Sequence, residues 1–291
     1  SNEIEGIKIR KAREEDILMN NVDPETKEEF LIYGYNKALE NVFSVYKYQS
    51  LTESYIKDRH YLLYESLTPG FGGKYKVEQN YIREFDKNGR LIRTVFIPCK
   101  PEEVDSQMGN LVYQFNECTR DPNCNILITI FVFILDFLCI HPFYDGNGRV
   151  SRLLTTFLLM KYGYDLDQYY SLSYVILNNV ETYYLALEKS SLGWHEDMNN
   201  YEYFVHFMLD CVKDGYKKLA SIIDVNSMMG FANEKVLKVI NDSMFPITKS
   251  EIEEIVVSLS RSTIEKSLNE LLSKQQIQMI QSGKYAQYYK I

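Results

Sequence analysis

The sequence has 291 residues, a length that corresponds to one large domain or about two ordinary ones. Apolar residues make up 45% and charged residues 25%, which is ordinary for a folded globular chain and excludes disordered, collagen-like and disulfide-scaffold classes. The 32 Lys and Arg against 40 Asp and Glu give a formal net charge of −8, which argues against nonspecific binding of the whole chain to a polyanion. A local basic site is compatible with this balance.

Cysteine usage and the apolar runs indicate the compartment. The five cysteines are an odd number and include no C-x-x-C pair and no His at zinc-ligand spacing, so we expect a reduced, cytoplasmic setting. The strongest apolar run, residues 126–140, is interrupted by Thr129 and Asp136 and is shorter than the ~20 residues that span a bilayer. It predicts a buried core helix and no membrane partner.

Because the sequence begins at Ser1 without an initiator Met or a signal-peptide apolar region, we expect a fragment, a processed product or a tagged chain.

The first hundred residues predict helices followed by a hairpin. Residues 1–22 are dense in charge and precede Asp23-Pro24, which predicts a short leading element and then a break. Apolar residues at three- and four-residue multiples predict amphipathic helices at 28–47 and 51–66. Two β-like runs at 80–85 and 91–97 flank Asn88-Gly89, the strongest short hairpin signal. The unpaired edge of such a hairpin could take up an extended peptide, although a surface hairpin with no partner fits equally well.

Helical patterns continue through the rest of the chain. Helices are predicted at residues 102–116, 126–140, 149–162, 178–190 and 201–223, a linker at 226–230, and shorter helices at 232–241, 249–256 and 261–274. Two final strands would be joined through Ser282-Gly283-Lys284, and three short helices with a β-ribbon resemble a winged-helix module. We therefore expect a mainly α protein with a leading segment 1–22, a core 23–224 and a small α+β domain 225–291.

Residues 141–152 concentrate the chemistry and read H-P-F-Y-D-G-N-G-R-V-S-R. Pro142 cannot continue the preceding apolar helix, so His141 should lie at the helix end and face a loop. Gly146 and Gly148 permit backbone angles that other residues resist, which would let successive N–H groups form an anion-binding nest. The next helix would offer its positive N-terminal end to the same anion.

The side chains of this segment also suit phosphate chemistry. Arg149 and Arg152 are three residues apart on one helix face and could hold a polyphosphate. Asp145 supplies an oxygen ligand of the kind that Mg²⁺ uses beside phosphates. His141 could accept a proton from an attacking hydroxyl, and Phe143 would anchor the loop in the core. Each residue alone has an ordinary structural explanation, but the combined spacing predicts a nucleotide site.

This segment resembles the Fic family motif, H-P-F-x-[DE]-G-N-G-R-x-x-R, at every specified position. The similarity extends over roughly residues 1–220, because the hairpin upstream looks like the family's target-positioning flap and a tyrosine pair, Tyr183-Tyr184, follows the motif. The resemblance implies a Fic-type helical core with a β-hairpin flap. It also implies an enzyme that uses ATP and Mg²⁺ to transfer AMP to a Ser, Thr or Tyr hydroxyl of a protein.

The resemblance implies a role for individual residues. His141 would be the base and Asp145 the Mg²⁺ ligand. The nucleotide-binding residues would be Gly146, Asn147, Gly148, Arg149, Arg152 and Tyr183. The target-positioning flap would contain Asn80, Tyr81, Ile82 and Arg83.

The first six residues, S-N-E-I-E-G, are similar to the inhibitory motif of the same family, [ST]-x-x-x-E-[GN]. If the carboxylate of Glu5 pairs with Arg152, it takes the guanidinium that an ATP γ-phosphate needs. We therefore expect autoinhibition by Glu5. In related proteins the same glutamate is linked to AMP removal, so the reverse reaction is also open.

Two alternative functions fit the sequence. The C-terminal module could belong to a DNA-binding regulator, but residues 225–291 carry eight Lys and Arg against seven Asp and Glu, a poor footprint for phosphate contacts. A protein-contact or homodimer-stabilising role is at least as well supported. The motif loop could instead bind the nucleotide in another orientation and transfer a phosphoryl or a different nucleotide group. His60, His195 and His206 are predicted to be structural or solvent-facing.

Overall fold

The computed structural model of the chain describes residues 1–86, 88–243, 245–257, 259–280 and 286–290, and the backbone alone for residues 223–229. The chain divides into two compact units, Ser1–Tyr216 and Lys217–Ile291. As predicted, the protein is mainly helical, and the strands in the described residues form two small sheets. Within these residues no helix is both long and apolar enough to cross a membrane.

The first unit is built from helices that enclose a buried central pair. Its helices are α1 (Lys11–Leu18), α2 (Lys27–Val45), α3 (Glu53–Tyr64), α4 (Val104–Cys118), α5 (Ile126–Ile140), α6 (Asn147–Lys161), α7 (Leu172–Leu177), α8 (Val180–Ser191) and the start of α9 (Glu202–Asp242). Short 3₁₀ helices occupy Asn2–Glu5, Pro101–Glu103, Asp165–Gln168 and Trp194–Glu196. The sequence analysis missed α7, a six-residue helix too short to give a clear period.

The central pair is α5 and α6. Helix α5 begins where expected because the side chain of Asn125 accepts the N–H of Ile128 at 3.3 Å. Helices α4 and α6 pack against it, so its apolar residues are covered on several sides. Helix α6 is buried along most of its length, and each of its hydroxyls has a partner: Ser151 donates to the Gly148 carbonyl, Thr155 to the Ser151 carbonyl and Thr156 to Asp167, each at 2.8 Å. The loop between these two helices therefore has rigid support on both sides.

The predicted hairpin is present as β1 (Ile82–Phe85) and β2 (Leu91–Phe96), an antiparallel pair. The register shifts on both sides of the central pairs, so the ribbon is irregular. Its turn contains Gly89 at φ 77°, whose N–H donates to the Asp86 carbonyl at 3.0 Å. Arg93 of β2 donates to Glu84 across the ribbon at 2.8 Å and to Glu188 of α8 at 2.9 Å. These contacts hold the hairpin beside α8.

The second unit has its own core. Besides the end of α9 it contains α10 (Lys249–Ile255), α11 (Arg261–Ser273), β3 (Ile247–Thr248), β4 (Ile277–Ile280) and β5 (Gln287–Lys290), with the strands in the antiparallel order β3-β5-β4. Its buried core consists of Val236, Ile240, Ile247, Ile252, Val256, Ile264, Leu268, Leu271 and Ile277. The predicted turn at Ser282-Gly283-Lys284 lies outside the described residues. The winged-helix assignment of this unit stays a prediction.

The predicted linker at residues 226–230 was wrong, because α9 continues through it from Glu202 to Asp242. The segment that suggested a linker contains no proline, and the single glycine, Gly230, costs a helix only about 1 kcal/mol. The predicted helices at 201–223 and 232–241 are therefore parts of one helix. The change from the first unit to the second falls inside it, between Tyr216 and Lys217.

Candidate active site

The motif loop joins the C-terminus of α5 to the N-terminus of α6. Helix α5 stops at Ile140 because Pro142 has no N–H to continue the hydrogen bonds. His141 caps the helix in the left-handed conformation, at φ 51° and ψ 60°, which turns the chain away from the helix axis. Phe143 is fully buried, as the sequence predicts, so the loop is anchored in the core.

The geometry fixes the tautomer of His141. Its Nδ1 lies 3.1 Å from the carbonyl oxygen of Leu138. Since a carbonyl only accepts hydrogen bonds, Nδ1 carries the hydrogen, and Nε2 keeps its lone pair. Burial lowers the pKa of His141 to about 4, so the ring is neutral near pH 7. A neutral imidazole with a free Nε2 is a competent proton acceptor.

Asp145 lies four residues further, held from several directions. Its two carboxylate oxygens accept from the N–H of Gly146 and from the hydroxyl of Tyr64, each at 2.7 Å. Burial alone would raise the pKa of Asp145, but the Tyr64 hydroxyl and the Arg149 guanidinium lower it below its ordinary value. The carboxylate is therefore anionic at neutral pH.

The residues present fit a Mg²⁺ ion that is shared with a nucleotide. Among the described residues no group of three or more His, Cys, Asp or Glu side chains could hold a metal ion. Mg²⁺ is commonly bound through one or two carboxylates together with substrate phosphates. The anionic Asp145 fits such an ion, shared between the protein and a nucleotide, and does not fit a metal held by the protein alone.

An anion-binding surface follows Asp145 at the start of α6. Gly146 precedes the helix at φ 83°, a conformation that favours glycine. Arg149 and Arg152 are 2% and 3% exposed, and among the described residues the Nη1 atom of each has no hydrogen-bond partner. Buried N–H groups without a partner are costly, and an anion at the helix N-terminus could satisfy these Nη1 atoms.

Gly148 differs from the prediction. It lies inside α6, and its φ is not in the left-handed region. Glycine there leaves room for Glu5, because a Cβ would be 2.2 Å from its Oε1 and would displace the carboxylate. The prediction that Gly148 supplies an unusual backbone angle was therefore wrong.

The N-terminal segment delivers a carboxylate to this surface. Oε1 of Glu5 lies 2.6 Å from Nη2 of Arg152, and Arg152 Nε also donates to the Ser1 hydroxyl at 2.8 Å. Tyr184 of α8 donates to the Ile4 carbonyl at 2.9 Å and so holds the segment on its other side. The contact expected between Glu5 and Arg152 is present, and the carboxylate occupies part of the space an anion would need.

Asn147 and Asn80 hold the backbone of the motif loop. The Asn147 amide accepts from the Phe143 N–H at 2.9 Å and donates to its carbonyl at 2.7 Å, so both groups of this side chain are occupied inside the loop. Asn80 also donates to the Phe143 carbonyl, at 2.9 Å. Lys76, which the sequence analysis did not single out, donates to Asn80 at 2.8 Å and to the Ile140 carbonyl at 3.3 Å. Asn80 precedes β1 and contacts the loop.

Helix α3 supplies two further contacts that the sequence analysis missed. His60 is fully buried and stacks on Phe143 with ring centroids 3.9 Å apart. Its Nδ1 accepts from the Gly73 N–H at 2.9 Å, so its Nε2 carries the hydrogen and donates to the Asp145 carbonyl at 3.0 Å. The Tyr64 hydroxyl accepts from Arg149 at 2.7 Å while it donates to Asp145. The sequence did contain one sign of these contacts: His60 and Tyr64 are polar aromatic residues four positions apart, so they lie on the same face of a predicted helix.

A cavity of about 780 Å³ connects these groups. It is lined by His141, Asp145 and the start of α6 on one side, by Tyr183 and Tyr184 on another, and by the hairpin residues Tyr81, Ile82 and Arg83. Tyr183 is buried with its ring 6.2 Å from that of Phe204. Most of the predicted site residues thus line one cavity, but three do not. Asn80 lies beneath the loop, and the buried Arg149 and Arg152 lie behind the lining, where they contact Tyr64 and Glu5. The Asn147 side chain faces inward. His195 and His206 do not line the cavity.

Sequence comparison with known proteins finds a family match and distant relatives. Residues 50–159 match the Fic/DOC family, so the chain carries a Fic/DOC domain over these residues. The protein adenylyltransferase fic-1 of Caenorhabditis elegans is 33% identical over 104 residues, 34% of this chain and 18% of that protein. The protein adenylyltransferase Fic of Nematostella vectensis is 29% identical over 138 residues, 46% of this chain and 29% of that protein. The matches thus span less than a third of these relatives.

Solved structures share the fold. A Fic family protein from Desulfovibrio desulfuricans G20 superposes with a TM-score of 0.63 and 19% identity, covering 99% of this chain and 83% of that one. A Fic domain containing signaling protein from Bacteroides thetaiotaomicron gives a TM-score of 0.57 with 21% identity, over 74% of this chain and 81% of the other. At these identities the likeness establishes the fold alone.

Proposed function

We propose that this chain is a protein adenylyltransferase that transfers AMP from ATP to a Ser, Thr or Tyr hydroxyl of a protein and is autoinhibited by Glu5. One observation supports this most directly. The free Nε2 of His141, the anionic Asp145 and the anion-binding start of α6 face one cavity beside an exposed hairpin. The names of the two adenylyltransferases that match part of the chain support the same reaction.

The proposed step is nucleophilic displacement at the α-phosphorus of ATP. The target hydroxyl oxygen forms a bond to this phosphorus, the bond to the bridging oxygen breaks, and pyrophosphate leaves. Nε2 of His141 accepts the hydroxyl proton, which it can do because Nδ1–H is held by Leu138. Burial keeps the ring neutral at physiological pH, so the acceptor is available without prior loss of a proton.

The remaining residues bind and orient the phosphates. Arg149 and Arg152 would neutralise negative charge on the phosphate chain, and the N–H groups at the start of α6 would add hydrogen bonds. Mg²⁺, held by Asp145 and phosphate oxygens, would offset the charge that develops on the leaving group. Tyr183 and Tyr184 would line the nucleotide cavity. The hairpin residues Tyr81, Ile82 and Arg83 would present the target segment.

Autoinhibition follows from competition for one guanidinium. Arg152 is buried, so it cannot move to serve a second anion while Glu5 pairs with it at 2.6 Å. A nucleotide phosphate would have to displace the carboxylate. Removal of Glu5 should therefore free Arg152 and raise the rate of AMP transfer.

The test compares incorporation of label from ATP into protein by the parent chain and by Glu5→Gly. The ATP carries its label on the α-phosphorus in one set and on the γ-phosphorus in the other. Incubation with a cell lysate supplies candidate targets, and self-modification is measured without it. We expect label from the α-phosphorus alone, at least 10-fold faster in Glu5→Gly than in the parent, since ~1.4 kcal/mol of lost competition gives that factor.

His141→Ala in the Glu5→Gly background should remove the transfer, whereas His206→Ala, an exposed histidine of α9, should not change it. Transfer that persists without His141 would exclude it as the base. No gain on removal of Glu5 would exclude autoinhibition. Label from the γ-phosphorus would favour phosphoryl transfer, the alternative that the motif permits. Incubating AMP-modified protein with the parent chain tests AMP removal.

The second unit does not favour the DNA-binding alternative. Basic residues around α11 pair with acidic residues of the same unit: Lys249 with Glu265, Arg261 with Glu253 at 3.5 Å, and Lys274 with Glu270 at 2.6 Å. Lys and Arg side chains that are already paired within the protein neutralise few DNA phosphates, so few counterions are released from the DNA on binding. Salt-dependent DNA binding by the full chain would restore that alternative.

A further inference from the structure

The junction between α4 and α5 brings two cysteines together. Cys118 is the last residue of α4, and Cys124 lies two residues before α5, after a turn that contains Asp121 and Pro122. Their Sγ atoms are 3.3 Å apart. We call these two residues the thiol pair. They lie outside the cavity described above.

The hydroxyl of Thr129 contacts both sulfurs of the thiol pair. The hydroxyl of Thr129 donates its single hydrogen to the Asn125 carbonyl at 3.1 Å. Towards Cys124, at 2.9 Å, this oxygen therefore acts as the acceptor, and the Cys124 thiol is the donor. Cys118 Sγ lies 3.6 Å from the same Thr129 oxygen, so the two sulfurs lie side by side at one hydroxyl.

The thiol pair is more accessible than the other cysteines. Cys118 is exposed and Cys124 is partly exposed, whereas Cys99, Cys139 and Cys211 are buried. Burial raises the pKa of Cys99 to about 11 and that of Cys211 to about 12, which suppresses the reactive thiolate at these positions. A small oxidant in solution should therefore meet Cys118 first.

We propose that the thiol pair is a modification site, where a peroxide converts Cys118 and Cys124 into an intramolecular disulfide. Cys118 Sγ takes one oxygen of hydrogen peroxide as the O–O bond breaks, which gives a sulfenic acid and one water. Cys124 Sγ then attacks Cys118 Sγ, the S–S bond forms, and the hydroxyl leaves with the Cys124 proton as a second water. The two sulfurs are oxidised by two electrons in all, and the peroxide is reduced.

The geometry requires only a small movement. A disulfide has an S–S distance of about 2.05 Å, so the sulfurs must approach by roughly 1 Å from their separation of 3.3 Å. Two backbone hydrogen bonds of the connecting turn already hold the cysteines close together: the Asp121 N–H donates to the Cys118 carbonyl at 3.1 Å, and the Cys124 N–H donates to the Asp121 carbonyl at 3.0 Å. This inference does not depend on the proposed enzymatic function.

The experiment treats the reduced full chain with hydrogen peroxide and measures intact mass, thiols after denaturation, and tryptic peptides. We expect a mass loss of two hydrogen atoms, a fall from five titratable thiols to three, and full reversal by dithiothreitol. Trypsin cleaves after Arg120, between the two cysteines, so the disulfide would hold two tryptic peptides together. That linked pair identifies the bond in the unmutated protein.

Single variants provide the controls. Cys118→Ser and Cys124→Ser should each lose the mass change, while Cys211→Ser, which removes a buried thiol, should keep it at the parent rate. Three results would overturn the proposal. These are sulfinic acid at Cys118 with Cys124 still titratable, disulfides between molecules on a non-reducing gel, and oxidation of buried cysteines as fast as the thiol pair.

Discussion

Gly148→Ala tests the contact between the N-terminal segment and the motif loop. A Cβ on Gly148 would lie 2.2 Å from Oε1 and 2.9 Å from Cδ of Glu5, closer than the two groups can approach. The backbone of Gly148 is helical, so alanine introduces no strain of its own. The carboxylate must move away, and its hydrogen bond to Arg152 is lost.

The expected change in unfolding free energy has opposite signs in two backgrounds. A hydrogen bond between charged groups contributes about 1.5–3 kcal/mol, which we reduce to about 1–2 kcal/mol because the Glu5 side chain is 33% exposed. Alanine in place of glycine inside a helix stabilises by about 0.5–1 kcal/mol. Gly148→Ala should therefore destabilise the parent chain by about 1 kcal/mol. In the Glu5→Gly chain, where no carboxylate is displaced, the same substitution should stabilise by about 0.5–1 kcal/mol.

Urea unfolding of four proteins measures this coupling: the parent, Gly148→Ala, Glu5→Gly and the double variant. The only tryptophan, Trp194, lies in the first unit and donates to Asp136 at 2.8 Å, so its fluorescence reports on that unit. Gly109→Ala in α4 is the matched control, because its Cβ would meet another glutamate, Glu53, at 3.3 Å, which a shift of a few tenths of an ångström in that side chain relieves.

The result that would refute the reasoning is additivity. If the effect of Gly148→Ala is the same with and without Glu5, to within about 0.5 kcal/mol, the two residues do not contact each other in solution. The control should give that additive result. A coupling of about 1–2 kcal/mol for Gly148 alone would show that the carboxylate occupies the start of α6.

Two further predictions concern α3. Tyr64→Phe leaves Asp145 and Arg149 without their shared hydroxyl and should destabilise the first unit by about 1–2 kcal/mol, whereas Tyr61→Phe should change its unfolding free energy by less than about 0.5 kcal/mol; equal effects in urea would contradict the bridging role. Burial lowers the pKa of His60 from 6.5 to about 4, so the folded chain binds fewer protons and this contribution to stability, complete above pH 6.5, is lost as the pH falls towards 4. Between pH 6.5 and 4 the His60 term lowers the unfolding free energy by up to ~1.4 kcal/mol per pH unit, and His60→Gln should remove this dependence. An unchanged dependence of the unfolding free energy on pH would contradict the burial argument.

The sequence predicted best where local chemistry determines the structure. The bounds of α5 were predicted to the residue, because Asn125 and Pro142 mark its ends and nearly every residue between them is apolar. The hairpin followed from Asn88-Gly89 between the two β-like runs at 80–85 and 91–97. The register shifts in β1 and β2 could not be predicted, since no residue in either strand signals a bulge.

Long-range contacts divided into two kinds. The approach of Glu5 to Arg152, 147 positions apart, was expected only because a family resemblance linked their two motifs. The contacts of His60 and Tyr64 with the motif loop had no such link and were missed. Their partners lie about eighty positions away, and a buried aromatic residue with a polar atom does not reveal from sequence which group it binds.

His141 occupies a position that folding stability alone would assign to a different residue. Its φ of 51° lies in the left-handed region, which costs a residue with a Cβ up to about 1–2 kcal/mol and suits glycine best. A histidine at this position therefore lowers the unfolding free energy of the chain relative to glycine. Selection of a random library for heat resistance should therefore favour glycine at position 141, and a stabilised version of this chain that keeps the imidazole needs that position excluded from the library.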